Sequence, residues 1–421
     1  MPGPRPRLAG SLGPAMRDAI LIAAYDAGLH TSEGYVARSL LSHLDPRTRV
    51  ILVTRRNNVA ELSADPGFRA ANPHVHLVGF DLPKWAAWWK RGARFYGLYA
   101  YLWQASWPLA LRSRRWLVER LEVVHTLNFH NDSIPSLAWF LGRPTVWGPI
   151  NHHEPAAPWR TTSWPRAQRW RQSARALLRG LLWRADPLLR LAVNRTDLIL
   201  SAGRWVDRRL GLEGRHNIRR LSQLGIDPEI AALRSLRPSD TIRIVSAGRL
   251  DWLKSLDLIL LALVHLPKDA TVTLIGDGPC RDFLSALARD LGIAERVIFR
   301  PTVPRAQLLA LYNDFDLFVF ASPEVAGLSW IEALATGLPV VAFDGQTELA
   351  DRADSLSGLH VVPAGDDREV NIRALADGIL KVARSHPEPR EIAASVKAHY
   401  SWPRFTAEIV DAYETVREPP R

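Results

Sequence analysis

The stretch "IRIVSAGRLDWLKSLDLILLALVHLPKDATVTLIGDG", residues 242–278, decides the fold of the second half of this chain. It begins with an apolar run of β-forming residues at 242–248 and ends with another at 271–278. Between them the pattern predicts a helix from about Ser255 to His265. A strand, a helix and a strand in this order predict a βαβ unit of a parallel sheet.

The same alternation continues without a break after residue 278. It predicts further helices and strands, namely helices from about Cys280 to Leu291, from about Arg305 to Tyr312 and up to Thr336, and strands at 296–301, 317–320 and 339–344. These strands are apolar throughout, as expected where helices cover both faces of a sheet. The second half is therefore predicted to be a doubly wound α/β domain.

The first half shows the same organisation. "DAILIAAY" (18–25), "VARSLLSHL" and "RVILVT" read as strand, helix and strand, and further strands are predicted at 74–80, 122–127, 144–150 and 197–203. The composition turns polar at "SLRPSDT" (235–241), where we place the domain boundary. We therefore predict an α/β protein with two Rossmann-like, doubly wound parallel-sheet domains facing a central cleft, where the carboxyl ends of the strands would bind ligands.

Length and composition agree with this division. A chain of 421 residues with 47% apolar and 23% charged residues fits two globular domains. We divide it into a flexible tail (1–15), an N-terminal domain (16–236), a C-terminal domain (237–398) and a closing segment (399–421). The one cysteine, Cys280, excludes an internal disulfide and fits a reducing, cytoplasmic location. No run approaches the length of a membrane span, and the N-terminus has no apolar signal core.

The net charge of +11 favours anionic partners such as nucleic acid, acidic lipid or phosphorylated metabolites. Two segments, 83–116 and 158–184, interleave Trp with Arg and Lys. One interpretation is a helical surface whose Trp faces are buried in the core. Another is docking on an anionic membrane, peripherally on the inner face of the cytoplasmic membrane. Nucleic acid is not expected as a partner, because the chain contains no recognition module.

Two cations lie on the loop after the strand at 242–248. Arg249 and Lys254 would stand beside a helix N-terminus, an arrangement suited to a diphosphate because the guanidinium binds it as a fork and the ammonium as a point charge. The alternative is a solvated basic loop. Gly276 and Gly278 in "IGDGP" allow a tight turn and close backbone approach, or form a plain strand-to-helix turn.

Two glutamates surround the start of the helix that follows the strand at 317–320. Gly327 falls at that start, where backbone N–H groups can face an anion. Glu332 is predicted near the helix N-terminus, at the border of the buried face, and Glu324 on the preceding loop. Favourable charge against the helix dipole and a solvated loop position would explain each glutamate alone. Together with the cations and glycines they describe a nucleotide-sugar site, with carboxylates accepting hydrogen bonds from hydroxyl groups.

These motifs resemble the donor site of the retaining glycosyltransferases of family 4, which have the GT-B fold. The similarity is carried by "GRLDWLKS", the "GDGP" turn and the Glu–x7–Glu pair of "EVAGLSWIEALATGLPVV". It extends to "SGLHVVPAGDD" and to "YSWPRFTAEIVDAYETV", which is similar to a last helix that crosses back to the first domain. In the first half, "HTSEGYVARSLL" resembles the loop after the first strand, and "PTVWGPINHHE" resembles the VWGPxGG segment of one bacterial branch.

The resemblance implies roles for individual residues. Arg249 and Lys254 would hold the donor diphosphate, Glu332 the ribose, and Glu324 the transferred sugar. Backbone N–H groups of Gly327 and Leu328 would face the phosphate or sugar. The other donor-binding positions implied are Gly276, Gly278, Ser32 and Gly34.

The sequence departs from the family pattern at several positions. Ser255 replaces the usual glycine after the lysine, and Thr31 replaces the glycine of the first loop. Asn151 and His152 stand where the bacterial branch has two glycines. These changes put the subtype of acceptor or donor in doubt.

The resemblance also implies transfer with retention and without a metal or other cofactor. No second carboxylate is assigned for a double displacement, so front-face attack is the working mechanism. His125, at a strand end, is the candidate to face the sugar, with His130 as its competitor and a structural role as the alternative. His152 and His153 are adjacent on extended chain and point to opposite sides, so a metal site is not expected there.

We therefore predict a hexosyltransferase that uses a nucleotide-diphosphate sugar and a glycan or lipid-linked acceptor in the synthesis of cell-envelope polysaccharide or glycolipid. One alternative is a nucleotide-sugar epimerase or hydrolase, which would consume the donor without an acceptor. Another is a non-catalytic, membrane-peripheral module that binds the nucleotide sugar without turnover.

Overall fold

The computed structural model describes residues 19–90, 92, 95–127, 132–151, 155–227, 241–324, 327–343, 352, 354–385 and 387–418. The chain divides into two compact units. The first comprises Met1–Asn151, Arg179–Gln223 and Phe405–Arg421, and the second comprises His152–Leu178 and Leu224–Arg404.

The first unit contains a parallel sheet whose described strands follow the order β3-β2-β1-β4-β5-β6-β7. The strands are β1 (Ala19–Ala24), β2 (Arg49–Thr54), β3 (Val75–Gly79), β4 (Leu121–Leu127), β5 (Thr145–Ile150), β6 (Leu198–Ser201) and β7 (Ile218–Arg220). The helices that follow or connect them are α1 (Ser32–His43), α2 (Arg56–Ala64), α3 (Pro66–Ala71), α4 (Tyr96–Arg112), α5 (Arg115–Val118), α6 (Arg166–Ala185), α7 (Pro187–Arg195) and α8 (Arg204–Leu210). Residues of α6 up to Leu178 are grouped with the second unit.

The second unit contains a parallel sheet in the order β10-β9-β8-β11-β12-β13 over its described residues. The strands are β8 (Arg243–Ala247), β9 (Thr271–Ile275), β10 (Val297–Arg300), β11 (Leu317–Phe320), β12 (Val340–Phe343) and β13 (Leu359–Val362). The helices are α9 (Leu256–Val264), α10 (Arg281–Asp290), α11 (Arg305–Leu311), α12 (Leu328–Ala335), α13 (Arg368–Ser385), α14 (Pro389–Tyr400) and α15 (Trp402–Arg417), and α15 belongs to the first unit from Phe405 onward.

Helices cover both faces of the second sheet, and this explains the continuous apolar strands. Along β11, Val319 packs into the core on one face, while Phe318 and Phe320 pack into the core on the other. Adjacent residues of a strand point to opposite faces, so a strand that is buried on both sides must be apolar at every position. The predicted fold class, two Rossmann-like units each with a parallel sheet, is confirmed.

The segment 152–178 is grouped with the second unit, whereas the predicted domain division placed it in the first domain. The predicted boundary at 236 lies outside the described residues. In the structure, Trp159 packs edge-on against Phe343 with ring centroids 5.4 Å apart, and Arg160 donates to the carbonyl of Ala321 at 2.5 Å. These contacts attach the segment to the second sheet.

The two Trp/Arg segments differ in burial. In the first, Trp103 and Trp107 are fully buried, whereas Trp85 and Trp88 are 80% and 76% exposed. In the second, Trp159 and Trp164 are 7% and 3% exposed, whereas α6 has no fully buried residue and its Trp183 packs against a core cluster while Trp170 is 72% exposed. Buried Trp faces therefore account for part of each segment and leave most of α6 unexplained. Among the described residues, none of the helices combines the length and apolar composition that a bilayer crossing requires.

Candidate functional site

The strand order of the second sheet creates a crevice at one edge. From β8 the chain moves outward through β9 to β10, then returns to place β11 on the other side of β8. The loops after β8 and β11 therefore leave the same sheet edge in opposite directions, and ligands of such sheets bind at this switch point. The predicted Arg249, Lys254 and Glu324 all lie on these two loops.

The loop after β8 has a defined conformation that positions Lys254. A short 3-10 turn spans Trp252–Lys254, and Asp251 caps it by accepting hydrogen bonds from the backbone N–H groups of Leu253 at 3.0 Å and Lys254 at 3.3 Å. Asp251 thus uses its side chain locally to satisfy donors at the start of a turn. The lysine side chain then leaves the turn at a fixed point beside β11.

Lys254 and Glu324 form an ion pair, with Nζ donating to Oε2. The two side chains are only 20% and 23% exposed. Ser322 supports the pair, because its hydroxyl accepts from the N–H of Glu324 at 3.2 Å and donates to the carbonyl of Leu253 at 3.3 Å. The loops after β8 and β11 are therefore joined through both side chains and backbone.

Arg249 completes the cluster of charges. It is exposed and forms no salt bridge within the described part of the chain. A pocket is lined by Arg249 and Lys254 together with Gly248, Ala321 and Ser322. Burial, and next the nearby Glu324 carboxylate, raise the pKa of Asp251. The pocket thus has two cations and a backbone wall, which suits an anionic group.

Gly276 and Gly278 bring a second loop against the first. A Cβ on Gly276 would lie 2.0 Å from the carbonyl oxygen of Gly248, and one on Gly278 would lie 2.3 Å from that of Leu250. Hydrogen bonds join the same loops, from the N–H of Leu250 to Asp277 and from that of Cys280 to Leu250. In the structure these glycines allow a close approach between two backbone segments, and the second segment is the loop that carries Arg249 and Lys254. Donor binding by these glycines stays a prediction.

Helix α12 starts at the same edge. Gly327 is its N-cap, and a Cβ there would lie 2.7 Å from the Phe320 ring. Leu328 is the first helical residue, so its N–H is one of those that lack a partner within the helix. Glycine is therefore required here for packing, and an anion facing these N–H groups stays a prediction.

Glu332 is more deeply buried than its predicted border position suggested, with 5% of its surface exposed. Arg305, the first residue of α11, donates from Nε to its Oε1 at 2.6 Å. Burial raises the pKa of Glu332, and Arg305 opposes that rise. Sequence reasoning missed Arg305, although its place just after a predicted strand was a usable signal.

Ser255 occupies a backbone conformation that favours glycine, the residue expected here from the resemblance. Its φ of +49° lies in the left-handed region, and its side chain is buried at the N-cap of α9. A residue with a Cβ costs roughly 1–2 kcal/mol in this region. The departure from glycine therefore keeps the loop geometry at a cost in stability.

The loop after β1 in the first unit has a similar close approach. A Cβ on Gly34 would lie 2.1 Å from the carbonyl oxygen of Gly28. Ser32 begins α1, and Thr31, which stands where the resemblance leads us to expect glycine, is its N-cap and accepts from the N–H of Gly34 at 3.0 Å. Thr31 therefore fits as a helix cap. Ligand binding by Ser32 and Gly34 stays a prediction.

His125 is completely buried, and both ring nitrogens have partners in the first unit. Nε2 lies 2.7 Å from the carbonyl of Gly148, which can only accept, so Nε2 carries the proton and Nδ1 accepts from the Tyr413 hydroxyl at 2.8 Å. Burial lowers the pKa of His125 to about 4. This is the environment of a structural histidine. A role toward the sugar stays a prediction, and its competitor His130 lies outside the described residues.

We expect Tyr413→Phe to destabilise the first unit by about 1–3 kcal/mol, because it leaves the Nδ1 acceptor of His125 buried without a donor. Tyr312→Phe is the matched control. Tyr312 is also fully buried, and its hydroxyl has no hydrogen-bond partner among the described residues. Chemical denaturation of both variants measures the difference, and equal losses would contradict this account of the His125 pair.

His152 and His153 also lie outside the described residues. Across the part of the chain that the structure describes, no three His, Cys, Asp or Glu side chains cluster as metal ligands would. Asn151, at the end of β5, is 1% exposed, and its amide has no hydrogen-bond partner among the described residues.

Comparison with known sequences adds a family match. Residues 231–398 match the family described as glycosyl transferases group 1, which is about two fifths of the chain. A D-inositol 3-phosphate glycosyltransferase of Xylanimonas cellulosilytica is 30% identical over 199 residues, 44% of this chain and 45% of that protein. A phosphatidyl-myo-inositol mannosyltransferase of Mycobacterium leprae is 28% identical over 321 residues, 72% of this chain and 76% of that protein. The chain thus spans less than half the length of the inositol-phosphate relative.

Comparison with solved structures supports the fold. The Anabaena protein HepE in complex with UDP superposes with a TM-score of 0.60 at 16% identity, over 94% of this chain and all of that one. Arg249, Lys254 and Glu324, on the loops after β8 and β11, all lie within the matched residues 231–398. Residues 231–398 are therefore similar to the glycosyl transferases group 1 family.

Proposed function

We propose that this protein transfers a hexose-type sugar from a nucleotide-diphosphate sugar to a glycan or lipid-linked acceptor, with retention of configuration and without a metal ion. The observation that carries the proposal is the cluster of Arg249, Lys254 and Glu324 at the switch point of the second sheet. These residues lie in the region that matches the glycosyl transferases group 1 family.

The chemistry of the cluster suits a diphosphate leaving group. Negative charge grows on the diphosphate as the bond to the sugar breaks, and preorganised cations stabilise that charge. An ammonium group has three N–H donors. Lys254 can therefore keep its bond to Glu324 and still donate to a phosphate oxygen, while Arg249 binds as a fork.

Glu324 and Glu332 supply hydrogen-bond acceptors for hydroxyl groups. We assign Glu324 to the transferred sugar and Glu332 to the ribose. The pairing of Glu324 with Lys254 would then link recognition of the sugar to recognition of the diphosphate. Arg305 would hold the Glu332 carboxylate in its orientation. We infer front-face attack, in which the leaving phosphate takes the acceptor proton.

The relatives support the proposed classes of sugar donor and acceptor. The solved HepE structure contains UDP, and the Mycobacterium leprae relative is named as a mannosyltransferase of a phosphatidyl inositol. We propose a nucleotide-diphosphate donor and favour a lipid-linked acceptor on these grounds. We place the reaction in the cytoplasm, peripherally on the inner face of the membrane.

The test is release of nucleoside diphosphate by the purified protein from UDP-, GDP- and ADP-sugars. Reactions contain a chelator and are run with and without a membrane lipid extract. We expect release from one donor, only with extract, and a product whose anomeric configuration by NMR matches that of the donor. Release without extract would favour an epimerase or hydrolase, and donor binding without release would favour a non-catalytic module.

A further inference from the structure

Helix α6 carries an apolar surface that faces solvent. Within this helix Trp170 is 72% exposed, Leu177 78%, Leu178 58% and Leu181 61%. Exposing several large apolar side chains is unfavourable in water, and isolated cases are common on protein surfaces whereas contiguous patches mark interaction sites.

The exposed apolar side chains of α6 form one contiguous patch. Successive residues of an α-helix are rotated by about 100°. Trp170, Leu177, Leu178 and Leu181, together with the exposed Ala174, therefore fall within about 100° of one another, and we call them the apolar stripe. Most of the partly buried residues of α6 lie around the opposite side, namely Gln168, Gln172, Ala176, Arg179 and Trp183, and the remaining two, Gly180 and Leu182, lie between that side and the apolar stripe.

Exposed arginines flank the apolar stripe on both sides. One row contains Arg166, Arg169 and Arg184, and the other contains Arg171 and Arg175. The helix has no Asp or Glu at any position. An apolar stripe between two cationic rows needs a partner that is apolar in the middle and anionic on both sides.

A bilayer with anionic headgroups meets this need. A helix lying in the interface plane would place the apolar stripe at the acyl boundary and both arginine rows at the level of the lipid phosphates. Nucleic acid would neutralise the arginines but leave the apolar stripe in water. A second copy of this chain, packed stripe to stripe, would bring arginine rows against arginine rows, which is unfavourable.

We infer that α6 is an interfacial membrane-binding helix that docks the protein on anionic lipid. This inference deepens the proposed membrane-peripheral location by naming the surface that docks, and it does not depend on the proposed sugar transfer, because it rests on the surface of α6 alone. The composition of the helix fits a position parallel to the bilayer surface rather than across the bilayer, because its six arginines are spread along its whole length.

Cosedimentation with vesicles tests the inference. Vesicles contain either phosphatidylcholine alone or equal amounts of phosphatidylcholine and phosphatidylglycerol, and no sugar donor is present. We expect the full chain to bind the anionic vesicles, to bind the neutral ones much less, and to lose binding at high salt. No sedimentation with anionic vesicles would overturn the inference.

Two variants separate the apolar from the charged contribution. Leu177→Ser with Leu181→Ser is expected to weaken binding roughly tenfold or more, because it removes half of the large side chains of the apolar stripe. Arg171→Gln with Arg175→Gln is expected to weaken binding to anionic vesicles only. The matched control is Val370→Ser, an apolar residue of α13 that is 61% exposed and should have no effect.

A site-specific probe reports insertion directly. The chain has one cysteine, Cys280, and it is buried, so Leu177→Cys can be labelled with a polarity-sensitive fluorophore. We expect a blue shift on anionic vesicles for the label at position 177 and none for a label introduced by Val370→Cys. Equal shifts would overturn the inference. So would a dimer that forms without vesicles and is lost in the Leu177→Ser, Leu181→Ser variant, because it would assign the apolar stripe to a second copy.

Discussion

Replacing Lys254 by alanine is expected to lower the turnover of sugar transfer by roughly 10²–10³-fold, the effect of removing one preorganised donor from a developing negative charge. The effect should appear mainly in kcat, because the diphosphate gains charge as the bond breaks. Steady-state kinetics on the donor identified by the release assay measures it. We prefer Lys254 to Arg249 for this test, because contacts with Asp251 and Glu324 and the 3-10 turn fix the position of Lys254.

The control for Lys254→Ala is Lys268→Ala, which removes an exposed lysine of the same unit. It should leave kcat unchanged. The stability of both variants must be compared, because Lys254→Ala also leaves the largely buried Glu324 carboxylate without its partner, at a cost of about 1–3 kcal/mol. A Lys254→Ala protein that is folded and turns over at the wild-type rate would contradict the assignment of the diphosphate site.

Replacing Gly276 by alanine is expected to destabilise the second unit by about 2–5 kcal/mol. Two causes add. The φ of Gly276 is +142°, a conformation that side-chain-bearing residues rarely adopt, and the new Cβ would lie 2.0 Å from the carbonyl oxygen of Gly248. Backbone must therefore move, and the loop that moves carries Arg249 and Lys254. We expect turnover to fall together with stability.

Gly292→Ala separates these two causes. Gly292 also has a positive φ, +67°, but a Cβ there would meet nothing within 4 Å. Its cost should be only that of the left-handed conformation, roughly 1–2 kcal/mol. Chemical denaturation measures both variants, and a Gly276→Ala loss no larger than that of Gly292→Ala would show that the contact between the two loops carries no strain.

The local pattern of apolar residues was sufficient to predict the strands and helices of the fold. The predicted strands at 242–248, 271–278 and 296–301 are found as β8, β9 and β10, because continuous apolar runs between helical patterns have few other ways to bury their side chains. The placement of Arg249, Lys254 and Glu324 at strand ends followed from the same pattern, since a loop after a parallel strand always lies at the carboxyl edge.

Contacts between distant parts of the chain could not be predicted in this way. The Lys254–Glu324 pair joins residues 70 positions apart, and the Arg305–Glu332 pair joins residues 27 apart. Periodicity shows which face of an element is buried but not which residue lies opposite. For this reason the depth of Glu332 and its arginine partner appeared only in the structure.

By itself, the sequence determined the succession of strands and helices, the two parallel sheets and the loops that carry the charged residues, because each depends on residues close together along the chain. Tertiary structure alone decided that both nitrogens of His125 are satisfied internally, that Gly276 serves the packing of two loops, and that the apolar stripe of α6 faces solvent. These properties depend on which surfaces meet, and burial is settled only when the whole chain has packed.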